Sequence, residues 1–435
     1  MATTYLTRTF QSGGSVVKWT FSAWVKKTSI GGSDNTIFSR YQSSDYYTKV
    51  GFGSDQLFFY QRHAGSFAGT LESTQKFRDV NGWYHFVFVW DSGNATADDR
   101  MKMYVNGVQI TDIASRTNPS QDLGSTWNTA FSQEIGRFNS TDYWKGYMTH
   151  INFCDGYAYS PTDFGEFDSN GVWTIKTSPS VSYGTTGFNI LKDGNTITDS
   201  SANTNNWTLG GGTLTDDKDS PSNVFDTYNQ LTIIGADPTL SNGSTTVSST
   251  TGNHWRTTNN NIGMSSGKYY WETKVGTISG GNYCRLGVVS ENLISTLTTS
   301  AFQGDYAYGI NWDGSKLVNS TLTAYTTVAT GDIFMFALDL DNNFIYGGKN
   351  GTWVNSGDPT SGASGTNALS AVQSGQTYFI SGSIYQSSQD TNFGNGYFGT
   401  AAISSAENPD NGYGAFEYDV PAGYKALCTK SLNGE

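Results

Sequence analysis

The sequence predicts an all-β chain built as two β-sandwich domains, and three observations carry that prediction. Of its 435 residues, 51 are Gly and 14% are aromatic, whereas 14% are charged and 8 are Pro. This mixture favours many short strands joined by tight turns, and its apolar content is ample for folded cores. Apolar residues recur with period two or in short unbroken blocks, and the helical period is nowhere sustained. The length exceeds what one ordinary core organises, so two or three domains are expected.

The strands can be justified in order. Trp19-Thr20-Phe21-Ser22-Ala23-Trp24-Val25 alternates large apolar with small or polar residues, as a sheet with one buried face requires. Trp83-Tyr84-His85-Phe86-Val87-Phe88-Val89-Trp90 is apolar almost throughout, so a central strand covered on both faces is expected. Met101 to Ile110 reads as a hairpin around Asn106-Gly107, the strongest short-range hairpin signal. In the second half, Phe334, Phe336, Leu338 and Leu340 share one face of a strand. Asp341-Asn342-Asn343 then supplies turn residues, and Phe344-Ile345-Tyr346 returns.

Several of these segments carry a resemblance. FSAWVKK (21–27), GWYHFVFVWD (82–91), MKMYVNGVQI (101–110), EIGRF (134–138) and WKGYMTHINFCDGYAYSPTDF (144–164) resemble, in this order, concanavalin A-like, laminin-G-type jelly-roll domains. The resemblance runs from about residue 3 to 168. It implies a two-sheet sandwich in a family that spans glycan binding, protein binding, hydrolysis and plain structure.

Farther along, IGMSSGKYYWETKV (262–275), NYCRLGVVSEN (282–292), YAYGINWDGSKL (306–317) and LDLDNNFIYGGKNG (338–351) resemble the motifs of SPRY domains. Between the two lies an Asn/Asp/Ser/Thr/Gly-rich stretch with isolated hydrophobes, containing DSSANTNNWT and DSPSNVFDT. It resembles connectors in virion proteins of marine tailed phages that join laminin-G-like to SPRY-like domains. The tail FEYDVPAGYKALCTKSL (416–432) is similar to the final strand of the same proteins. The expected organisation is therefore a jelly-roll sandwich over 1–180, an ordered irregular connector over 181–239, and a SPRY-like sandwich with a C-terminal tail over 240–435.

Composition excludes some functions. A net charge of −12 with no visible basic patch disfavours binding to a polyanion, so no nucleic-acid partner is expected. No window approaches the roughly 18 apolar residues of a spanning helix, so no membrane insertion is expected. The opening MATTYLTRTF lacks the apolar core of a secretion signal. Cys154, Cys284 and Cys428 form an odd, widely spaced set inside apolar segments. They fit reduced buried thiols and folding in a reducing host cytoplasm.

Candidate sites were weighed against plainer readings. Asp339 to Asn343 has the oxygen spacing of a calcium loop. Counted from Asp339, however, the sixth position is Phe344 rather than Gly and the twelfth is Asn350 rather than Glu. A turn is the expectation there. Asp91, Asn94, Asp98 and Asp99 could supply oxygens for the single edge calcium that laminin-G-type domains sometimes hold, against the reading of a solvated loop. That structural calcium is the one cofactor considered.

Glu166-Phe167-Asp168 is the nearest fragment to the E-x-D-x-x-E strand of laminarinase-type jelly rolls, but it lacks the third carboxylate. His63, His85, His150 and His254 are scattered without metal-ligand spacing, and there is no nucleophile elbow or phosphate loop. No enzymatic activity is expected. For glycan binding, Tyr46, Tyr47 and Trp127 sit in polar surroundings and are the candidate exposed aromatics. The loops 292–305 and 355–369, at the end where SPRY domains meet partner peptides, show no anchor residue.

The resulting expectation is a non-enzymatic structural protein of a phage virion, exposed on the particle as head decoration or tail fibre and adhesive to host polysaccharide. The alternatives are a dedicated receptor-binding adhesin of the tail and, third, a glycoside hydrolase. Other virion proteins, host polysaccharide and further copies of the chain are the expected partners. The first few residues and the tail from 400 onward are the expected docking segments.

Overall fold

The computed structural model describes residues 3–32, 35–235, 238–250, 254–278, 280–296, 302 and 304–433. The ends of the expected docking segments and part of the loop 292–305 lie outside these. The chain divides into two compact units, Met1–Asp216 and Asp217–Glu435. Among the described residues, no helix is long and apolar enough to cross a membrane.

Among the described residues, unit 1 contains sixteen strands. They are β1 (Tyr5–Thr9), β2 (Lys18–Lys27), β3 (Asn35–Ser43), β4 (Tyr46–Gly53), β5 (Gln56–His63), β6 (Ser66–Lys76), β7 (Tyr84–Asp91) and β8 (Met101–Val105). There follow β9 (Val108–Gln109), β10 (Ile113–Thr117), β11 (Ser132–Ile135), β12 (Gly146–Asp155), β13 (Gly165–Phe167), β14 (Trp173–Ile175), β15 (Phe188–Ile190) and β16 (Thr208–Gly211). An eight-stranded antiparallel sheet runs β10-β6-β5-β4-β3-β11-β1-β16, facing a six-stranded sheet β15-β12-β2-β7-β8-β9. At the expected hairpin, Asn106 and Gly107 both adopt positive φ, 46° and 83°, as the tight turn between β8 and β9 demands.

β7 is covered on both faces, as its unbroken apolar run requires. Phe86, Phe88 and Trp90 face the core, while Val87 and Val89 pack with Cys154 and Phe164 behind the sheet. β2 departs from the expectation of one buried face, because every residue from Trp19 to Lys27 is buried. On its far side Trp24 stacks on His85 at 4.9 Å, and Trp173 of the β13–β14 hairpin continues the stack. That hairpin is the cover that local alternation does not reveal.

The core between the sheets is aromatic. Trp127 is at its centre with no exposed surface, stacked on Phe38 at 4.2 Å and tilted against Trp19 at 4.7 Å. Its indole nitrogen donates to the Thr48 carbonyl at 3.0 Å. This corrects the placing of Trp127 among exposed aromatics. The polar flanks LGST and NTAF belong to a loop that dips between the sheets, with Thr126 bonded to Thr48 and Asn128 to Asp155.

The stretch 181–239 is divided between the units. Phe188–Ile190 pairs with β12 and Thr208–Gly211 pairs with β1, so its first half completes both N-terminal sheets. Asp226 and Tyr228, beyond the boundary, are buried in unit 2.

Unit 2 also holds two antiparallel sheets. Its strands are β17 (Ile234–Gly235), β18 (Thr239–Ser241), β19 (Thr246–Ser248), β20 (Arg256–Asn259), β21 (Lys268–Val275), β22 (Tyr283–Ser290), β23 (Ala307–Asn311) and β24 (Ser315–Val318). Then come β25 (Thr321–Ala324), β26 (Ile333–Asp339), β27 (Phe344–Lys349), β28 (Thr352–Trp353), β29 (Ser370–Ala371), β30 (Tyr378–Tyr385), β31 (Ser388–Asn392) and the short pair β32 (Tyr397–Phe398) and β33 (Ala401–Ala402). One sheet runs β17-β20-β30-β22-β23-β24-β25 and the other β18-β19-β31-β21-β26-β27-β28. The two units thus form two all-β sandwiches.

The 339–343 stretch is the β26–β27 turn. Asp339 Oδ1 accepts the backbone N–H groups of Asp341 and Asn342, and Oδ2 meets Lys268 at 3.0 Å. Its carboxylate is therefore committed to holding the turn.

The tail does not form a final strand. Segment 416–432 makes isolated bridges, such as Phe225 with Cys428, and ends in the helical turn Thr429–Leu432. It is tied down by Glu272 on β21, a carboxylate with no exposed surface. Glu272 accepts from the backbone N–H groups of Glu417 and Tyr418 and from the Tyr270 hydroxyl, each at 2.9 Å. Burial outweighs these bonds and pushes the Glu272 carboxyl up to about 7. The three cysteines are free and buried, and burial raises the Cys284 thiol to about 12.

Three predictions follow from this packing. Trp127→Ala, which empties the centre of the unit 1 core, should destabilise that unit by about 3–5 kcal/mol in denaturant titration.

His85, bonded to Ser22 and Trp173, is pushed down to about 3 by burial and secondarily by His150. Its folded value lies below its unfolded one, so its contribution is complete above about pH 6.5 and is lost as pH falls toward the folded value. His85 by itself should cost unit 1 about 1.4 kcal/mol per pH unit between roughly pH 6 and 4, and His85→Gln should reduce the measured slope by that amount.

Glu272 behaves oppositely. Its folded value is raised, so its contribution is present below about pH 4.5 and fades as pH rises toward 7. Thermal melts of Glu272→Gln across that window should show a shallower decline than the parent chain.

Candidate functional site

The most developed surface feature of unit 1 is the outer face of its eight-stranded sheet, and strand register decides which residues stand there. Thr48↔Gln61, Val50↔Phe59 and Phe52↔Leu57 pair on the inner face of β4 and β5. Tyr47↔Arg62, Lys49↔Tyr60 and Gly51↔Phe58 are then necessarily outward. β3 adds Tyr41 opposite Tyr47, and β6 adds Glu72 opposite Phe58 and Phe67 opposite Arg62.

These residues, with Phe138 from the segment after β11, form a continuous aromatic row. Ring centroids are separated by 5.1 Å from Phe138 to Tyr47, 6.4 Å from Tyr47 to Phe67, 5.6 Å from Phe67 to Tyr60 and 4.6 Å from Tyr60 to Phe58. Tyr41 packs edge-on against Phe138 at 5.3 Å. Phe67 is 47% exposed, Tyr41, Tyr47 and Tyr60 are half-buried, and Phe58 is buried beneath Tyr60 and Lys49.

Polar groups border the row. The Tyr60 hydroxyl donates to Glu72 at 3.0 Å. Arg62 lies 5.3 Å over the Phe67 ring and donates to the Gly65 carbonyl, leaving its buried Nε without an acceptor. Lys49 is buried between the Phe58 and Phe138 rings, 4.9 and 4.6 Å from their centroids, with Asp142 at 3.9 Å. Nearby, Arg137 makes a two-point contact with Glu134, which holds its guanidinium above the ordinary range, and it covers the Tyr5 ring. Flat apolar rings beside hydroxyl, carboxylate and guanidinium groups suit a ligand with one apolar ring face and hydroxyls at its edge, which describes a pyranose.

The sequence candidates fall in different places. Tyr47 is in the row. Tyr46 lies on the other side of β4, with its ring edge-on to His63 at 5.2 Å. Trp127 is in the core and cannot meet a ligand. Phe58, Tyr60, Phe67 and Phe138 were missed. Parity finds Phe58 and Tyr60 once Phe59 is assigned to the core, whereas Phe67 and Phe138 join them only through strand pairing.

The calcium candidates each have a separate partner. Asp91 meets Lys18 at 3.4 Å, Asp98 accepts from Asn118 at 2.6 Å, and Asp99 meets Lys102 at 3.0 Å. Asn94 Oδ1 accepts the Thr96 N–H. Among the described residues, no group of three or more His, Cys, Asp or Glu is placed to hold a metal. Of the hydrolase fragment, Glu166 faces Lys176 at 3.6 Å, and Asp168 accepts the N–H groups of Asn170 and Val172 in the β13–β14 turn.

Residues 3–163 match the family model of the concanavalin A-like lectin/glucanases superfamily. No curated protein matches the chain. Among solved structures, the SPRY domain of human HERC1 is similar at 14% identity with a TM-score of 0.30, covering 38% of this chain and 96% of that one. A heptameric SAP-like pentraxin from Limulus polyphemus is similar at 19% identity with a TM-score of 0.28, covering 37% of this chain and 72% of that one. Stonustoxin is similar at 19% identity with a TM-score of 0.29, covering 38% of this chain and 26% of that one.

Proposed function

We propose that this chain is a non-enzymatic adhesive protein of a phage particle surface, whose N-terminal unit holds host polysaccharide along the row Phe138–Tyr47–Phe67–Tyr60. The concanavalin A-like match over residues 3–163 is compatible with a binding or adhesive role. The observation that carries the reading is the row itself, with Phe67 left 47% exposed on an open sheet face. Phe67 does not stand singly but in contact with Tyr47 and Tyr60, and a sugar ring would cover this patch.

The particle assignment is supported by the ordered resemblance of three segments, the jelly roll, the connector and the SPRY-like half, to phage virion proteins. It implies assembly in the bacterial host cytoplasm, other virion proteins as partners and several copies per particle. Head decoration and a tail appendage are both consistent with it. The acidic surface of a chain with net charge −12 suits an exposed particle protein.

Host lipopolysaccharide and capsular fractions immobilised on an array should retain the chain. Tyr47→Ala and Phe67→Ala should each weaken retention roughly tenfold without shifting the thermal melt. No retention on any host fraction, or retention unchanged in both variants, would defeat the adhesive reading. Mass spectrometry of purified virions should detect the polypeptide, and its copy number should separate the two locations. Its absence from virions would defeat the particle reading.

A further inference from the structure

Unit 2 carries a second cluster of half-buried aromatic rings, on the outer face of its seven-stranded sheet. The inner face is filled by Cys284, Leu286 and Val288 of β22, Ile310 of β23 and Ile384 of β30. Period two then sends Tyr283, Arg285, Asn311 and Tyr385 outward. Trp255, at the start of β20, and Trp312, just after β23, complete the group. Tyr283 is 4.4 Å from Trp312, 5.6 Å from Tyr385 and 6.3 Å from Trp255, centroid to centroid. All four rings are partly exposed.

Arg285 lies beneath this cluster. It is 7% exposed, and its guanidinium carbon is 4.6 Å from the Trp255 ring centroid. Nε donates to Asn311 Oδ1 at 2.9 Å, but Nη1 is buried with no acceptor among the described residues. Asp313, two residues beyond Asn311, is exposed and accepts from Asn311 Nδ2 and the Ser315 N–H. Arg285 makes no ion pair among the described residues. A buried charge without a partner is destabilising, and a guanidinium fork fits a planar oxyanion in two-point contact.

We propose that this face of unit 2 binds an acidic sugar, with a pyranose ring on the aromatic cluster and its carboxylate on Arg285. The site is distinct from the N-terminal row and stands on its own residues. Stacked rings beside an arginine also suit unpaired nucleobases and phosphate. The chain's net charge of −12 and the neighbouring Asp313 disfavour a phosphodiester backbone, and a single guanidinium matches the one carboxylate of the ring that stacks on the cluster.

The test is calorimetric titration of the full chain with tetragalacturonate, with neutral galactotetraose and with oligodeoxythymidylate. Tetragalacturonate should bind more tightly than either of the others. Arg285→Gln should weaken it roughly tenfold to a hundredfold. Arg285→Lys, which keeps the charge without the fork, should fall between, and Trp312→Ala should also weaken binding. The two partly exposed or charge-conserving variants, Trp312→Ala and Arg285→Lys, keep the test decisive if Arg285→Gln fails to fold. The proposal is overturned if tetragalacturonate does not bind at millimolar concentration, if Arg285→Lys and Trp312→Ala both bind it like the parent, or if oligodeoxythymidylate binds more tightly.

Discussion

Filling the space between the two sheets of unit 1 is the constraint on which its surface depends. Trp127, Trp19, Phe38, Phe59 and Phe153 occupy that space as a continuous aromatic packing. Because side chains alternate across a strand, committing Val50 and Phe59 to this core fixes Lys49, Phe58 and Tyr60 on the other side. A slip of one residue in register would bury the row and expose the core. The candidate ligand face is thus a consequence of how the interior is packed.

Buried charges add a second level of order. In unit 1 Lys27 and Asp55, both almost completely buried, meet at 2.9 Å, and Asp55 also accepts from Gly31 and Arg78. In unit 2 Glu272 performs a comparable task for the tail. Such groups stabilise when every partner is present and are costly when one is removed, so they specify one arrangement of chain more than they strengthen it. Arg285 differs because one of its nitrogens has no partner among the described residues.

Opposite acid–base responses follow from the same physics. Burial penalises the charged form, which lowers His85 and raises Glu272 and Asp226. Acid therefore loosens the unit that carries the aromatic row, whereas a rise toward neutrality works against the unit that carries Arg285.

By itself the sequence determined the all-β class, the Asn106-Gly107 hairpin, the doubly covered strand ending at Trp90 and the turn at Asp339, since each depends on residues near one another in the chain. It also brought out Tyr47. It could not show that Trp127 lies inside, because its neighbours are polar and only the loop's path between two sheets makes them structural. Nor could it assemble Phe58, Tyr60, Phe67 and Phe138, which come from two strands and a later segment and become one row only through pairing register. The cover over β2, the sharing of 181–239 between the units and the unpartnered nitrogen of Arg285 were likewise decided by tertiary structure. Each depends on which distant segments meet, and that is a property of packing rather than of local pattern.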